Sequence, residues 1–277
     1  MIFKYCMSKE TLSNNLVIIV HGLGEHLARY DNFVKTLLTN NLDVYCYNLF
    51  EHEGRKEEKI NSYLDYIFDL YKIILEYRSI YKKIFLFGHS MGGEIVSIYA
   101  SLYDNVEGII TSGASLKMGG SINLLRFVPQ KFLSKMYINP KLESKISVSE
   151  TNKENYKKDE KVLKKIRAKL LYEMFIKGIK YFKKTTSKIN VPCLILHGGN
   201  DLIINKTSSY YTYYNKVSCI DKIIISYTYL GHEILNEEEK LGLQGLITKQ
   251  TKNSYVLEDE LLSPIDRIVK WLYEHQN

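Results

Sequence analysis

The sequence predicts an α/β fold: a mostly parallel central sheet, helices on both of its faces, and a helical insertion over one edge. Three observations predict it. Short apolar runs at residues 16–20, 43–47, 84–87, 108–111, 192–196 and 222–227 alternate with helical stretches. The pentapeptide Gly88-His89-Ser90-Met91-Gly92 stands between one such run and a helical pattern. The alternation stops between Ser115 and Ile189, where the chain turns Lys-rich and helical.

Near-continuous apolar strands separated by helices belong to parallel sheets covered on both faces. In such sheets functional groups collect at the carboxyl ends of the strands. Beyond the pentapeptide, residues 94–103 place Ile95, Ile98, Tyr99 and Leu102 on one helical face. Within the insertion, residues 159–183 give the clearest helix. Asn190-Val191-Pro192 marks the return to the sheet, because the residue before proline avoids helix. Residues 1–114 and 190–277 are therefore expected to form the core, and residues 115–189 a cap. Residues 238–263 read as an irregular insertion, and residues 264–274 as a final helix with Pro264 in its first turn.

Composition narrows the class. A chain of 277 residues, 45% hydrophobic and 25% charged, suits a globular protein with a sizeable core. No apolar run approaches ~18 residues, so no transmembrane helix is expected. The N-terminus shows no apolar segment followed by a small-residue cleavage site, so no signal peptide is expected. Cys6, Cys46, Cys193 and Cys219 form no CxxC pair and read as buried free thiols, which suits a reducing cytoplasm. The net charge of +7 is uneven: residues 153–188 carry thirteen Lys or Arg against four Asp or Glu. That basic segment is either a solvated helical face or a peripheral contact with anionic lipid. No nucleic-acid motif accompanies it, so nucleic acid is not an expected partner.

The pentapeptide fits G-x-S-x-G at a strand-to-helix turn, the setting of a nucleophile elbow. Gly88 and Gly92 keep the turn tight, and the Met91 N–H follows the serine. A serine hydroxyl needs a base, normally a histidine oriented by a carboxylate. Three histidines follow Ser90: His197, His232 and His275. His275 lies in the last four residues, where fraying is expected. His197 ends a strand and reads as structural. His232 sits in a loop after the last strand of the series, where a base reaches the sheet's carboxyl edge. Asp201, in the turn after residues 192–196, is the acid; its rival Asp221 falls at the amino end of a strand. The loop after residues 16–20, His21-Gly22-Leu23-Gly24-Glu25-His26, can bend close to a substrate through Gly22 and Gly24. An oxyanion needs at least two donors, assigned here to the Leu23 and Met91 N–H groups.

Four motifs in order are His21-Gly-Leu-Gly-Glu-His26 with Arg29-Tyr30, Gly88-His-Ser-Met-Gly-Gly93, His197-Gly-Gly-Asn-Asp201, and Gly231-His232-Glu-Ile-Leu-Asn-Glu237. Together they strongly resemble the monoacylglycerol lipase and lysophospholipase family, the serine-aminopeptidase-like α/β-hydrolases. The resemblance spans nearly the whole chain. It implies an α/β-hydrolase fold, a Ser90–Asp201–His232 triad, and hydrolysis of monoacylglycerol or lysophospholipid esters with no metal or organic cofactor. One turn departs from the family. Where it carries Asp-x-x-Gly-His-Gly, this chain has Asn48-Leu49-Phe50-Glu51-His52-Glu53. Two other readings stand beside the lipase: a broad small-ester or thioester hydrolase, and an inactive hydrolase fold serving as a binding protein. An aminopeptidase is disfavoured, because no cap carboxylate is identified to hold a substrate amine.

Overall fold

The computed structural model describes residues 3–8, 13–117, 120–237, 245–250 and 255–276. The chain runs β1 (Phe3–Cys6), β2 (Asn15–Val20), α1 (Asp31–Thr39), β3 (Asp43–Tyr47), α2 (Leu64–Arg78), β4 (Lys83–His89), α3 (Met91–Ala100) and β5 (Gly108–Ser112). Then come α4 (Gln130–Leu133), β6 (Tyr137–Ile138), α5 (Glu150–Lys158), β7 (Ile166–Arg167), α6 (Ala168–Tyr172) and α7 (Ile179–Thr185). The core resumes with β8 (Cys193–Gly198), α8 (Lys206–Lys216), β9 (Lys222–Tyr227), β10 (Gly245–Gln250), β11 (Tyr255–Glu260) and α9 (Pro264–Glu274).

Among the described residues one sheet dominates, in the order β1-β3-β2-β4-β5-β8-β9-β10-β11. Strands β3, β2, β4, β5, β8 and β9 are parallel, and β1 pairs antiparallel with β3. The period-2 alternation of strand side chains splits β2 between two cores. Leu16, Ile18 and Val20 join Ile67, Leu70 and Ile74 of α2 and Ile95 of α3. Val17 and Ile19 join Phe33, Val34 and Leu37 of α1 and Ile268, Trp271 and Leu272 of α9. Each such aliphatic side chain contributes about 1.5–3 kcal/mol by leaving water. With both faces covered, the carboxyl edge of the sheet is left for function. No described helix is long and apolar enough to cross a membrane.

The structure corrects four expectations. Residues 159–183 are not one helix. Asp159 ends α5, and Ile166–Arg167 is extended because it pairs with Tyr137–Ile138. Helix resumes only at Ala168 and continues to Thr185 through a π-helical stretch, Glu173–Gly178. The irregular segment expected at 238–263 contains β10 and β11, a hairpin antiparallel to β9 that covers its edge; residues 238–244 and 251–254 of that expectation lie outside the described residues. Helix α3 ends at Ala100 and is buried on every side, so Leu102 falls beyond it and is exposed. His275 is not frayed: its ring stacks on Trp271 and bonds Asp221 and the Trp271 carbonyl.

Helix α3 also buries a carboxyl with nothing to bond. Glu94 is fully buried, and neither of its oxygens has a hydrogen-bond partner among the described residues. A Cβ on Gly178 would lie 2.6 Å from Glu94 Oε1, so the π-helical stretch seals it in. Burial pushes this carboxyl well above its usual range, which keeps it protonated. The folded chain holds this proton where the unfolded chain has lost it, so stability present at acid pH is lost as pH rises above roughly 4.3. Glu94→Gln keeps the shape and cannot ionise. In thermal melts between about pH 5 and pH 8 the variant should gain on the wild type as pH rises. A constant difference would count against a neutral buried carboxyl.

Candidate active site

The turn from β4 into α3 has the backbone geometry expected of a nucleophile elbow. Ser90 has φ 52° and ψ −114°, a backbone that side-chain-bearing residues adopt only when their surroundings hold them. Here the Ser90 N–H donates to the Ser112 carbonyl at 2.8 Å, and the Ser90 carbonyl accepts from Glu94 and Ser115. The two glycines are required by contact. A Cβ on Gly88 would lie 2.3 Å from the Gly92 carbonyl oxygen, and one on Gly92 2.0 Å from that of Val20. As the first residue of α3, Met91 presents an N–H with no acceptor one turn back, at the positive end of the helix dipole.

The loop after β2 lies against this turn: a Cβ on Gly22 would be 3.2 Å from Ser90 Cβ. Glu25 shapes the loop from within, accepting the Gly22 N–H at 3.1 Å and the Tyr30 hydroxyl at 2.7 Å. His52 accepts the Gly24 N–H at 2.9 Å, and Asn48 accepts the Leu27 N–H at 2.8 Å. Leu23 is left facing the cavity that Ser90 lines. His21 is structural: it accepts the Leu49 N–H, and burial pulls its ring well below the usual range.

Across the cavity, His232 Nδ1 stands 2.7 Å from Asp201 Oδ2. The other Asp201 oxygen accepts the Ile203 and Ile204 N–H groups, both at 2.8 Å. His197, the rival base, is behind the site, bonded to the Ile204 carbonyl and Ser209. Asp221, the rival acid, binds His275 instead. Burial works to raise the Asp201 carboxyl, but His232 and His197 outweigh it and hold Asp201 well below the carboxylate range. Burial pulls the His232 ring down, and the Asp201 charge and hydrogen bond outweigh that and raise it. His89, 4.7 Å from the His232 ring, is pushed down to about 3 by its own burial and by His232, so it is neutral.

Several residues here were given no role of their own from the sequence. Glu233 is buried beside His232 and takes Arg29 Nη2 at 2.7 Å and Asn152 Nδ2 at 3.0 Å. Glu237 accepts the Gly231, Val148 and Ser149 N–H groups and the Ser147 hydroxyl. Together they fasten the histidine loop to residues 147–152. The spacing Gly231-His232-Glu233 to Glu237 was the available signal, since a carboxylate that close in sequence can close on the loop's own amides.

Ser90, His232, Leu23 and Glu25 share one cavity of about 750 Å³. Leu125, Leu171, Phe175 and Ile179 give it an apolar wall, and Lys117 and Lys145 add charge. The structure thus brings together all the residues assigned from sequence to the elbow, the acid, the base and the amide loop.

Residues 12–239 match the family Hydrolase_4, described as serine aminopeptidase, S33. The chain belongs to this family. The hydrolase is 25% identical over 234 residues to phospholipase YtpA of Bacillus subtilis, covering 81% of this chain and 90% of that protein. It is 27% identical over 210 residues to the monoglyceride lipase homolog of Monkeypox virus, covering 73% and 76%. The solved monoacylglycerol lipase of Paleococcus ferrophilus superposes with a TM-score of 0.80 at 24% identity, covering 99% of this chain and 98% of that one, a likeness of fold.

If Asp201 sets the tautomer and basicity of His232, removing its charge should be costly. Asp201→Asn should lower turnover of a chromogenic ester about 10³- to 10⁴-fold. In the wild type, kcat/KM should rise with pH through an inflection above the ordinary histidine value of about 6.5, because only neutral His232 can take a proton. An inflection below that value would contradict the Asp201–His232 coupling.

Proposed function

We propose that this chain hydrolyses carboxylic esters through an acyl-serine intermediate. The observation that carries the reading is the shared cavity. Ser90 and His232 both line it, and Asp201 stands behind His232 at 2.7 Å. His232 takes the Ser90 proton as Ser90 Oγ attacks the ester carbonyl. The Leu23 and Met91 amides receive the oxyanion, with the α3 dipole adding to the field. The tetrahedral species then collapses, the C–O bond to the alcohol breaks, and His232 donates the proton to that alcohol. Water, deprotonated by His232, attacks the acyl-enzyme and releases the acid and free Ser90. Asp201 stays ionised throughout.

The substrates this reading favours are monoacylglycerols and lysophospholipids. The wall of Leu125, Leu171, Phe175 and Ile179 suits an acyl chain, with residues 115–189 as a cap. The printed names of the two relatives, a phospholipase and a monoglyceride lipase homolog, agree with an acyl-glycerol ester. Between the two, the charge on the cavity favours the phospholipid. Among the described residues neither Lys117 nor Lys145 has a carboxylate partner. Among the described residues Glu25 is the one carboxylate lining that cavity, and it is already bonded to Gly22 and Tyr30. The same pattern disfavours an aminopeptidase, whose substrate ammonium needs a free carboxylate. A cytoplasmic enzyme meeting anionic membranes through its basic cap fits this substrate class, and vesicle association that weakens with salt would support that contact.

Labelling with a fluorophosphonate probe tests the nucleophile. Ser90 should react, and Ser90→Ala should lose both the label and about 10³-fold or more of the turnover. Undiminished hydrolysis by that variant would refute the mechanism, and a wild type inert to probe and esters would leave only a binding fold. Replacing Lys117 and Lys145 together by Gln should cut kcat/KM for lysophosphatidylglycerol relative to monoacylglycerol by about fivefold. An unchanged ratio would remove the lysines from head-group selection.

A further inference from the structure

The turn after β3 that departs from the family pattern is bound on both sides. Glu51 stands where the family has glycine, and its backbone is left-handed at φ 65°. A side chain there is carried at a cost that something nearby must offset. Its carboxylate is 6% exposed and meets the guanidinium of Arg167, 7% exposed, in a two-pronged contact. Arg167 Nε lies 2.7 Å from Glu51 Oε2, and Arg167 Nη2 meets Oε1. Nη2 also donates to the Ile60 carbonyl at 2.7 Å, while the Ile60 N–H returns to Glu51 Oε1 at 3.0 Å. A buried bidentate pair with further hydrogen bonds to the Ile60 backbone is held to one geometry.

Each partner leads somewhere useful. The residue after Glu51 is His52, which holds the Gly24 N–H, and three before it is Asn48, which holds the Leu27 N–H. The turn therefore grips the proposed oxyanion loop at two points. The residue after Arg167 begins α6, and along the continuous helix from there Leu171, Phe175 and Ile179, spaced by four, line the cavity. Two further contacts join loop and cap directly, Leu163 N–H to the Gly24 carbonyl and His26 to Asp159. Neither of them reaches the helix that forms the apolar wall.

We propose that Glu51 and Arg167 are a positioning pair that fixes the acyl-binding wall to the oxyanion loop, so that acyl-chain selection and oxyanion stabilisation are set together by one ion pair. This rests on the ester-hydrolase reading above. Neither residue touches the reacting atoms. A long acyl chain seated on Leu171, Phe175 and Ile179 bears on a helix anchored at Arg167, and through Glu51 and His52 on the Gly24 amide. A short acyl group does not reach the wall, so without the pair it loses only what a loosened loop costs.

The test compares nitrophenyl decanoate with nitrophenyl acetate in Glu51→Gln, Arg167→Met and the double variant Glu51→Gly/Arg167→Met. The double variant leaves no orphaned buried charge, and glycine suits the left-handed turn, so it keeps the experiment usable if a single variant fails to fold. The decanoate-to-acetate ratio of kcat/KM should fall about tenfold in each single variant, with kcat for decanoate falling. The double variant should lose no more than either single, as coupled residues do. Equal losses on both esters, or losses that multiply in the double variant, would overturn the proposal. Hydrogen exchange on the same proteins gives a second readout that needs no substrate. The amides of residues 171–179 and of Gly24 and Leu27 should exchange faster together. Faster exchange in the helix alone, with Gly24 and Leu27 as protected as in the wild type, would also overturn it. If the wild type turns over neither ester, the ester reading fails, and the exchange result still decides whether the pair joins helix to loop.

Discussion

The left-handed backbone at Ser90 is the constraint around which the carboxyl edge of the sheet is arranged. That backbone exists only because β2, β4 and α3 cross without side chains at Gly88 and Gly92, where the Gly92 and Val20 carbonyls occupy the space of a Cβ. The crossing brings the start of α3 and the loop after β2 to the same edge of the sheet as Ser90. The loop after β9 brings His232 to the cavity that Ser90 lines, and the turn after β8 brings Asp201 to 2.7 Å from it.

Around that edge the chain solves one problem repeatedly: how to hold loops still where no strand or helix can. It does so with buried carboxylates that take loop amides. Glu25 takes Gly22, Glu237 takes Gly231, Val148 and Ser149, and Asp201 takes Ile203 and Ile204. Burying a charge is costly, and backbone N–H donors aimed at it offset that cost. Arg29 and Arg167 do the same work for Glu233 and Glu51 where amides are too few. The resulting framework is polar and specific in geometry. Glu94, with no hydrogen-bond partner among the described residues, stands apart from it, and its burial favours the protonated form.

Much of this was legible in the sequence because it depends on local rules. Apolar runs of four to six residues marked the parallel strands, and the order Ser90, Asp201, His232 identified residues the fold gathers at one edge. The histidines sorted themselves by position relative to strand ends. The parts that were not legible depend on contacts distant in the chain. Residues 159–165 have helical composition, yet Asp159 is drawn to His26 and Ile166–Arg167 to a two-residue ladder, so tertiary pairing overrides propensity. The hairpin β10–β11 was hidden because its alternation is interrupted by Glu258, Asp259 and Glu260. At Glu51, sequence comparison showed only that a glycine was missing. The partner that makes the replacement tolerable is 116 residues away.

Trp271 is the single tryptophan of the chain, fully buried and stacked on His275. It touches the amino end of β5 at Gly108, while Ser90 is bonded to the carboxyl end of the same strand at Ser112. The indole is therefore an optical reporter fixed at the opposite edge of the sheet from the cavity. Its emission will follow the seating of α9 and the charge on His275, and will be silent to a ligand entering beside Ser90. A fluorescence change on ligand addition would mean that the sheet itself has transmitted the event along β5.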